Sequence, residues 1–248
     1  MDWVKEFYTC QNEWFGVYLV DVEERHRERA KLIHKLSDNS EKMILELGAG
    51  GGQTSIALAE SGHDVTMIEL LESSTNHARK LAEKMKINIE IINNDFYRHE
   101  FEQQYDLICY FDSFGIGNDN DQRRLLKRIY SWLKPKGCAV IEIGSSLYWG
   151  GVARGKSMDL GNCMRQYDFD ANNCRLIDQW WRKAYPKNIV NQSLRCYTPA
   201  DLKLLLEGTG LKLVTIHPGG KIDYEIPEFI ENAPLEEAMT FYVKLTKT

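Results

Sequence analysis

The sequence has no long apolar run. Nothing in it approaches the ~20 consecutive apolar residues of a membrane span. The opening stretch MDWVKEFYTCQNEWFG mixes aromatics with charges, where a signal peptide needs an uninterrupted apolar core. The chain is therefore expected to be soluble and cytoplasmic, with no membrane partner. It has no C-x-x-C pair among its six cysteines, which argues against zinc and dithiol redox sites. Cys109 and Cys138 lie inside apolar runs and read as buried thiols. Cys163 and Cys174 flank a hairpin-like stretch, and in a cytosolic chain they are expected to stay free. An excess of positive charge is missing too: the formal net charge is -5. An acidic chain has no broad footprint for phosphate backbones, so nucleic acid is not expected as a partner. No metal cluster is readable. Asp168, Asp170 and Asn173 read as a hairpin turn, and Arg123, Arg124, Lys127 and Arg128 as one solvated helix face.

What the chain does have is an ordinary globular balance, 43% hydrophobic and 27% charged over 248 residues. That suits one α/β domain spanning 1–248. Residues 1 to about 37 carry Trp3, Phe7, Trp14, Phe15 and Tyr18 mostly at helical spacings, with Asp38-Asn39-Ser40 as a break. This predicts an N-terminal helical cap over about 1–40. Strands are then expected at 43–47, 64–70, 87–93, 105–112 and 138–143, with helices at 53–60, 76–85 and 121–133. Strands alternating with helices imply a mostly parallel sheet covered on both faces. The pattern breaks at Gly144. Residues 144–198 read as an insertion holding a β-hairpin, with strands at 174–183 and 189–197. Thr198 then caps a helix that has Pro199 in its first turn. Two last strands are expected at 211–217 and 239–247.

The most informative stretch is Ile44-Leu45-Glu46-Leu47-Gly48-Ala49-Gly50-Gly51-Gly52. A buried strand must turn sharply into a helix, and glycines permit positive φ and close approach of a ligand to the backbone. Counting from Gly48, the third position of a G-x-G-x-x-G fingerprint is Gln53, so the dinucleotide pattern fails. Glu46 is poorly placed for a polyanion. It suits an ammonium group, or it orders the loop through backbone N–H groups. Glu69 closes the second strand, where a carboxylate can accept from two ribose hydroxyls, and Leu70 can cover an adenine face. After the third strand, Asp95 can accept from an adenine amino group while the Phe96 N–H donates to a ring nitrogen.

Together these residues resemble the class I S-adenosylmethionine-dependent methyltransferases. Glu46 through Gly52 match that family's E/D-x-G-x-G-x-G motif, Glu69 its ribose-binding acid, and Asn94-Asp95-Phe96 its adenine-binding segment. Asp112-Ser113-Phe114 stands where the family meets the methionine part of the cofactor. The resemblance is strong over about 43–143. It implies a Rossmann-like seven-stranded mixed sheet in the order 3-2-1-4-5-7-6, with the seventh strand antiparallel, and S-adenosyl-L-methionine as cofactor. Gly48, Gly50, Gly52, Glu46, Glu69, Leu70, Asn94, Asp95, Phe96 and Asp112 become its expected contacts, with the polar tip of Tyr8 as a further one.

The acceptor is approached by exclusion. No Asn-Pro-Pro-Tyr follows the fourth strand, no Pro-Cys occurs, and the glutamate pair of protein-arginine enzymes is missing. A small-molecule acceptor remains, methylated on nitrogen or oxygen. The start Asp2-Trp3-Val4-Lys5-Glu6-Phe7-Tyr8 is similar to some antibiotic-tailoring N-methyltransferases. Phe114, Tyr148, Trp149 and Arg195 are the expected acceptor contacts. No general base is identified. His26, His34, His77 and His99 read as exposed, and His217, at a late strand end, is the least unsuitable. The insertion reads as a lid or as a dimer contact, which leaves a homo-oligomer open. The competing readings are a cofactor or partner binder without turnover and a nucleotide-cofactor oxidoreductase.

Overall fold

The structure is a computed structural model describing residues 2–16, 18–37, 43–226 and 228–248. The Asp38-Asn39-Ser40 break lies outside the described residues. Two helices come first, α1 (Asp2–Phe15) and α2 (Glu24–Ser37). Residues 18–23 lie outside any helix and divide what the sequence suggests as one helical stretch, with Gly16 at φ 67°.

The alternating part follows: β1 (Met43–Leu47), α3 (Gln53–Glu60), β2 (Asp64–Glu69), α4 (Glu72–Met85), β3 (Glu90–Asn93), β4 (Tyr105–Tyr110), α5 (Asp119–Trp132) and β5 (Leu133–Gly144). Between the expected helix at 121–133 and the expected strand at 138–143, Pro135-Lys136-Gly137 form a bulge inside β5. Leu133 faces Tyr105 and Cys138 faces Leu107, so the extra residues loop out of the ladder while the strand continues.

Alternation along the central strands divides the core between two faces. Leu45, Ile108, Ala139 and Ile141 pack with Leu125, Leu126 and Ile129 of α5. Ile44, Leu107, Cys109 and Val140 pack with Ala30 and Ile33 of α2 and with Ala57 and Leu58 of α3. Both faces are dry, which is why these strands read as continuous apolar runs.

Beyond β5 comes a π-helical turn (Tyr148–Val152), then β6 (Ser157–Asp159), β7 (Cys163–Asp170), β8 (Arg175–Arg182) and β9 (Ile189–Arg195). The insertion is therefore a four-stranded antiparallel sheet in the order β6-β7-β8-β9. The expected hairpin is its second half. The Asp170 carboxylate accepts from the backbone N–H groups of Asn172 and Asn173, making the turn between β7 and β8. Cys163 faces Arg182 across that pair, and none of the six cysteines is joined in a disulfide.

The chain closes with α6 (Pro199–Leu206), β10 (Leu211–Pro218), a small hairpin of β11 (Lys221–Asp223) and β12 (Glu228–Ile230), and β13 (Thr240–Lys247). Thr198 and Asp201 form a reciprocal capping box on α6 with Pro199 just inside. The main sheet runs β10-β13-β5-β4-β1-β2-β3, with β13 antiparallel to both neighbours and the other pairs parallel. This is the order 3-2-1-4-5-7-6. The order reverses between β1 and β4, and a ligand cleft is expected at the carboxyl ends of the strands there. Among the described residues no helix is long and apolar enough to cross a membrane.

Candidate active site

At that reversal a cavity of about 250 Å³ opens over the tips of β1, β2 and β4. Its floor is the glycine loop. Gly48, Gly50 and Gly52 have φ of 61°, 55° and 80°, a region that other residues enter only with strain. The Gly48 N–H donates to the Ile68 carbonyl at 2.9 Å, which ties the loop to β2. The Glu69 carboxylate accepts from the Gly50 N–H at 3.0 Å and the Leu71 N–H at 2.9 Å. Each oxygen keeps a lone pair for a ligand hydroxyl. Burial pushes the Glu69 carboxyl above its ordinary pKa, against the pull of these N–H groups.

Glu46 also lines the cavity and accepts a short hydrogen bond from the Ser55 hydroxyl at the start of α3. Burial raises its pKa to about 7. Leu70, Asp95, Phe96, Asp112 and Tyr8 complete the expected lining. Asp95 accepts from the Tyr97 N–H at 2.8 Å, and the Phe96 ring meets Tyr110 edge-on. Two expected contacts fall outside the lining. Gly52 is the N-cap of α3, and a Cβ there would lie 2.8 Å from that of Ala78, so this glycine serves helix packing. Asn94 is turned away toward His99.

Several lining residues carried no sequence motif. Gln53 occupies the missing third-glycine position, and its amide donates to the carbonyls of Tyr18 and Val20. The residue that breaks the dinucleotide pattern thus fastens Tyr18 and Val20, between α1 and α2, to the glycine turn. Arg25, His26 and Arg29 of α2 also face the cavity. Burial, with Arg25 and Arg29 beside it, pushes His26 down to about 4. Its exposed placement from sequence is thereby corrected. Arg29 pairs with Asp112 at 3.2 Å and stacks over Phe111. Burial opposes its charge, but Asp112 and Glu142 outweigh it and hold its pKa above the ordinary value. Arg25 and Arg29 are one helical turn apart, the one signal in ERHRER that could have singled them out.

A second chamber of about 210 Å³ adjoins the first and shares Tyr8, Tyr18, Asp112 and Ser113 with it. Its other walls are Gln11 of α1, Glu142 of β5, Trp149, and Arg165, Leu176 and Gln192 of the insertion sheet. The insertion is locked against the β4 tip. The Arg195 N–H donates to the Gly115 carbonyl at 2.9 Å, and a Cβ on Gly115, at φ 113°, would lie 2.3 Å from the Arg195 carbonyl oxygen. Helix α1 reaches β9 through the Gln192 amide, which donates to the Tyr8 hydroxyl at 2.6 Å.

Of the expected acceptor contacts, Phe114 and Trp149 line this second chamber. Tyr148 and Arg195 lie outside both linings. The Tyr148 hydroxyl donates to the Ile222 carbonyl, and Arg195 pairs with Asp119 and covers Tyr197. His217 also lies outside, against Tyr242. Among the described residues no group of three His, Cys, Asp or Glu side chains could hold a metal ion.

Fold and cavity agree with the resemblance read from the sequence, that of the class I, S-adenosylmethionine-dependent methyltransferases. Residues 44–137 match the methyltransferase domain family. The chain is similar to the ubiquinone biosynthesis O-methyltransferase of Rickettsia typhi, 28% identical over 145 residues, which are 56% of this chain and 58% of that protein. The chain spans about half the length of the curated relatives it matches. In fold it is similar to the CcbJ methyltransferase from Streptomyces caelestis (TM-score 0.72, 18% identity, 90% of this chain and 95% of that one). It is equally similar to an S-adenosylmethionine-dependent methyltransferase from Clostridium acetobutylicum (TM-score 0.72, 14% identity, 98% of each chain).

Proposed function

We propose that this protein transfers a methyl group from S-adenosylmethionine to a nitrogen or oxygen of a small molecule in the cytoplasm. The observation that carries the reading is the Glu69 carboxylate. It is held by the Gly50 N–H at the tip of β2, inside a cavity that continues into a second chamber. A cofactor and an acceptor can then meet at the shared wall of Tyr8, Tyr18, Asp112 and Ser113.

In the first chamber Glu69 would accept the ribose hydroxyls and Leu70 would cover the adenine. Asp95 and the Phe96 N–H would read the adenine edge. Glu46 has the charge for an ammonium group, and Arg25 and Arg29 have the charge for a carboxylate. The glycine loop gives the backbone room for close approach. The sulfonium cofactor supplies an activated methyl group, so the chain's own task is proximity, orientation and exclusion of water. Tyr8, with its hydroxyl fixed by Gln192, stands at the junction for this purpose. An acidic chain and a chamber of about 210 Å³ favour a small acceptor over nucleic acid.

Isothermal titration with S-adenosylmethionine, S-adenosylhomocysteine and NADH tests the cofactor. The expected result is micromolar binding of the first two and none of NADH. Binding of NADH alone would overturn the reading. Release of S-adenosylhomocysteine during incubation with small amines and phenols then tests turnover.

A further inference from the structure

The second chamber has a wall chemistry of its own. Gln11 of α1 is 4% exposed and lines the chamber, and its side-chain oxygen has no hydrogen-bond partner. A buried amide oxygen left unpaired costs free energy, and a ligand donor would recover it. Glu142 lies behind it in the same lining, 7% exposed. It accepts from the Asp112 N–H at 3.1 Å and the Thr240 hydroxyl at 2.8 Å. The Asp112 carboxylate lines both chambers.

Arg165, the one guanidinium in this lining among the described residues, is already engaged. Its fork closes on Asp178 at 2.9 and 2.7 Å, and it lies over the rings of Tyr167 and Trp180. Around the chamber three carboxylates, Asp112, Glu142 and Asp178, stand against two guanidiniums, Arg29 and Arg165. Tyr18, Phe114 and Trp149 supply ring faces, which attract a cation. A ligand that balances this wall brings a positive charge and N–H donors.

We infer that the second chamber binds the methyl acceptor as a compact amine, whose N–H groups are read by Gln11 and by the carboxylates of Glu142 and Asp112. This rests on the methyltransferase reading above and names its substrate class. Glu142 also has a place in the chemistry. The bound ammonium gives one proton to its carboxylate, which leaves the nitrogen lone pair free to form the new bond to carbon. The carbon–sulfur bond breaks, its electron pair remains on sulfur, and the product leaves as the methylammonium. The groups facing Glu142 are Asp112 from the β4 tip, Arg29 from α2 and Tyr242 from β13. Burial, then the charge of Asp112, raises the Glu142 carboxyl to about 7, which suits a group that takes and releases a proton near neutrality.

The test is calorimetry on the full chain saturated with S-adenosylhomocysteine. Three matched pairs serve as probes: cyclohexylamine and cyclohexanol, glucosamine and glucose, tyramine and tyrosol. At least one amine is expected to bind about tenfold or more tightly than its alcohol, a difference set by hydrogen bonds to charged groups. Gln11→Met, which keeps the side-chain volume and removes one neutral acceptor, should reduce that preference about threefold and leave the affinity for S-adenosylhomocysteine unchanged. In the unaltered protein amine affinity should fall as pH drops through about 7, and Glu142→Gln should flatten that dependence. Equal binding of amines and alcohols, or no binding of any amine, overturns the inference even if Gln11→Met fails to fold. Absence of S-adenosylhomocysteine binding would instead overturn the cofactor reading.

Discussion

The walls of the two chambers are assembled differently. The first is built from the ends of consecutive parallel strands. Each βα turn of the main sheet delivers its residues to the same edge, so Glu46, Gly48, Gly50, Glu69 and Asp95 converge because of chain order alone. The second is closed by elements far apart in sequence. Gln11 and Tyr8 come from α1, Glu142 from β5, Arg165 and Gln192 from the insertion sheet. The first wall can be conserved by any chain that keeps the sheet, whereas the second depends on how two added segments dock. On the proposed reading, cofactor chemistry is tied to the sheet and acceptor choice to the added segments.

The comparison is broken most forcibly at Asp178. It is fully buried, accepts both arms of Arg165 and accepts from the Trp180 indole N–H at 3.0 Å. Asp178→Ala leaves the Arg165 charge without its partner and should cost about 3–5 kcal/mol. Urea titration reads the loss, and hydrogen exchange should place it first in β7–β9. If S-adenosylhomocysteine affinity collapses in the protein that remains folded, the two walls are not independent.

Next in size is Glu69→Ala. Two ligand hydrogen bonds to a charged group are lost and the Gly50 N–H is released. Affinity for S-adenosylhomocysteine should fall about a hundredfold, equivalent to about 3 kcal/mol, with amides of the insertion unaffected. An unchanged titration would remove Glu69 from the ribose site.

A smaller and graded effect is expected from pH. Glu46 has a folded pKa of about 7 against an ordinary 4.5. Because the folded value is raised, its contribution to stability is present below about 4.5 and is lost as pH rises through 7. An ammonium ligand prefers the ionised carboxylate, so cofactor affinity should move the other way. It should fall as pH drops below 7, by at most tenfold per unit, and Glu46→Gln should abolish the slope. A pH-independent affinity in the unaltered protein would place the ammonium elsewhere.

The smallest change is Tyr8→Phe. It removes the acceptor of the Gln192 amide and should lower stability by about 1 kcal/mol, with cofactor affinity changed by less than about threefold. A larger loss in calorimetry would move Tyr8 from the junction into the cofactor wall proper.

How much was legible differs between the same two regions. The helix at 53–60 and the glycine turn before it are found where the sequence suggested, because buried strand, positive φ and helix start are all local properties. Strands β6, β7, β11 and β12 were missed, since half-exposed antiparallel strands carry mixed patterns, even where the turn after β7 was legible at Asp170 and Asn173. Asp178 shows the difficulty most clearly. In β8 it shares the inward face with Leu176 and Trp180, so the alternation contains a carboxylate that composition assigns to solvent. Its partner Arg165 is set opposite by strand pairing, not by sequence spacing. Arg29 was not singled out from the sequence, and it is the docking of α2 that turns it toward Asp112.

The sequence by itself determined the strand–glycine–helix turn and the acids at the tips of the sheet, and with them the resemblance on which the proposed cofactor rests. These rest on backbone conformations and residue types a few positions apart. Only the tertiary structure decided which residues form the second chamber, that Gln11 is buried with its oxygen unpaired, and that Tyr148 and Arg195 are held outside. Those outcomes depend on side chains brought together across 50 to 180 positions of chain, by packing that no local pattern encodes.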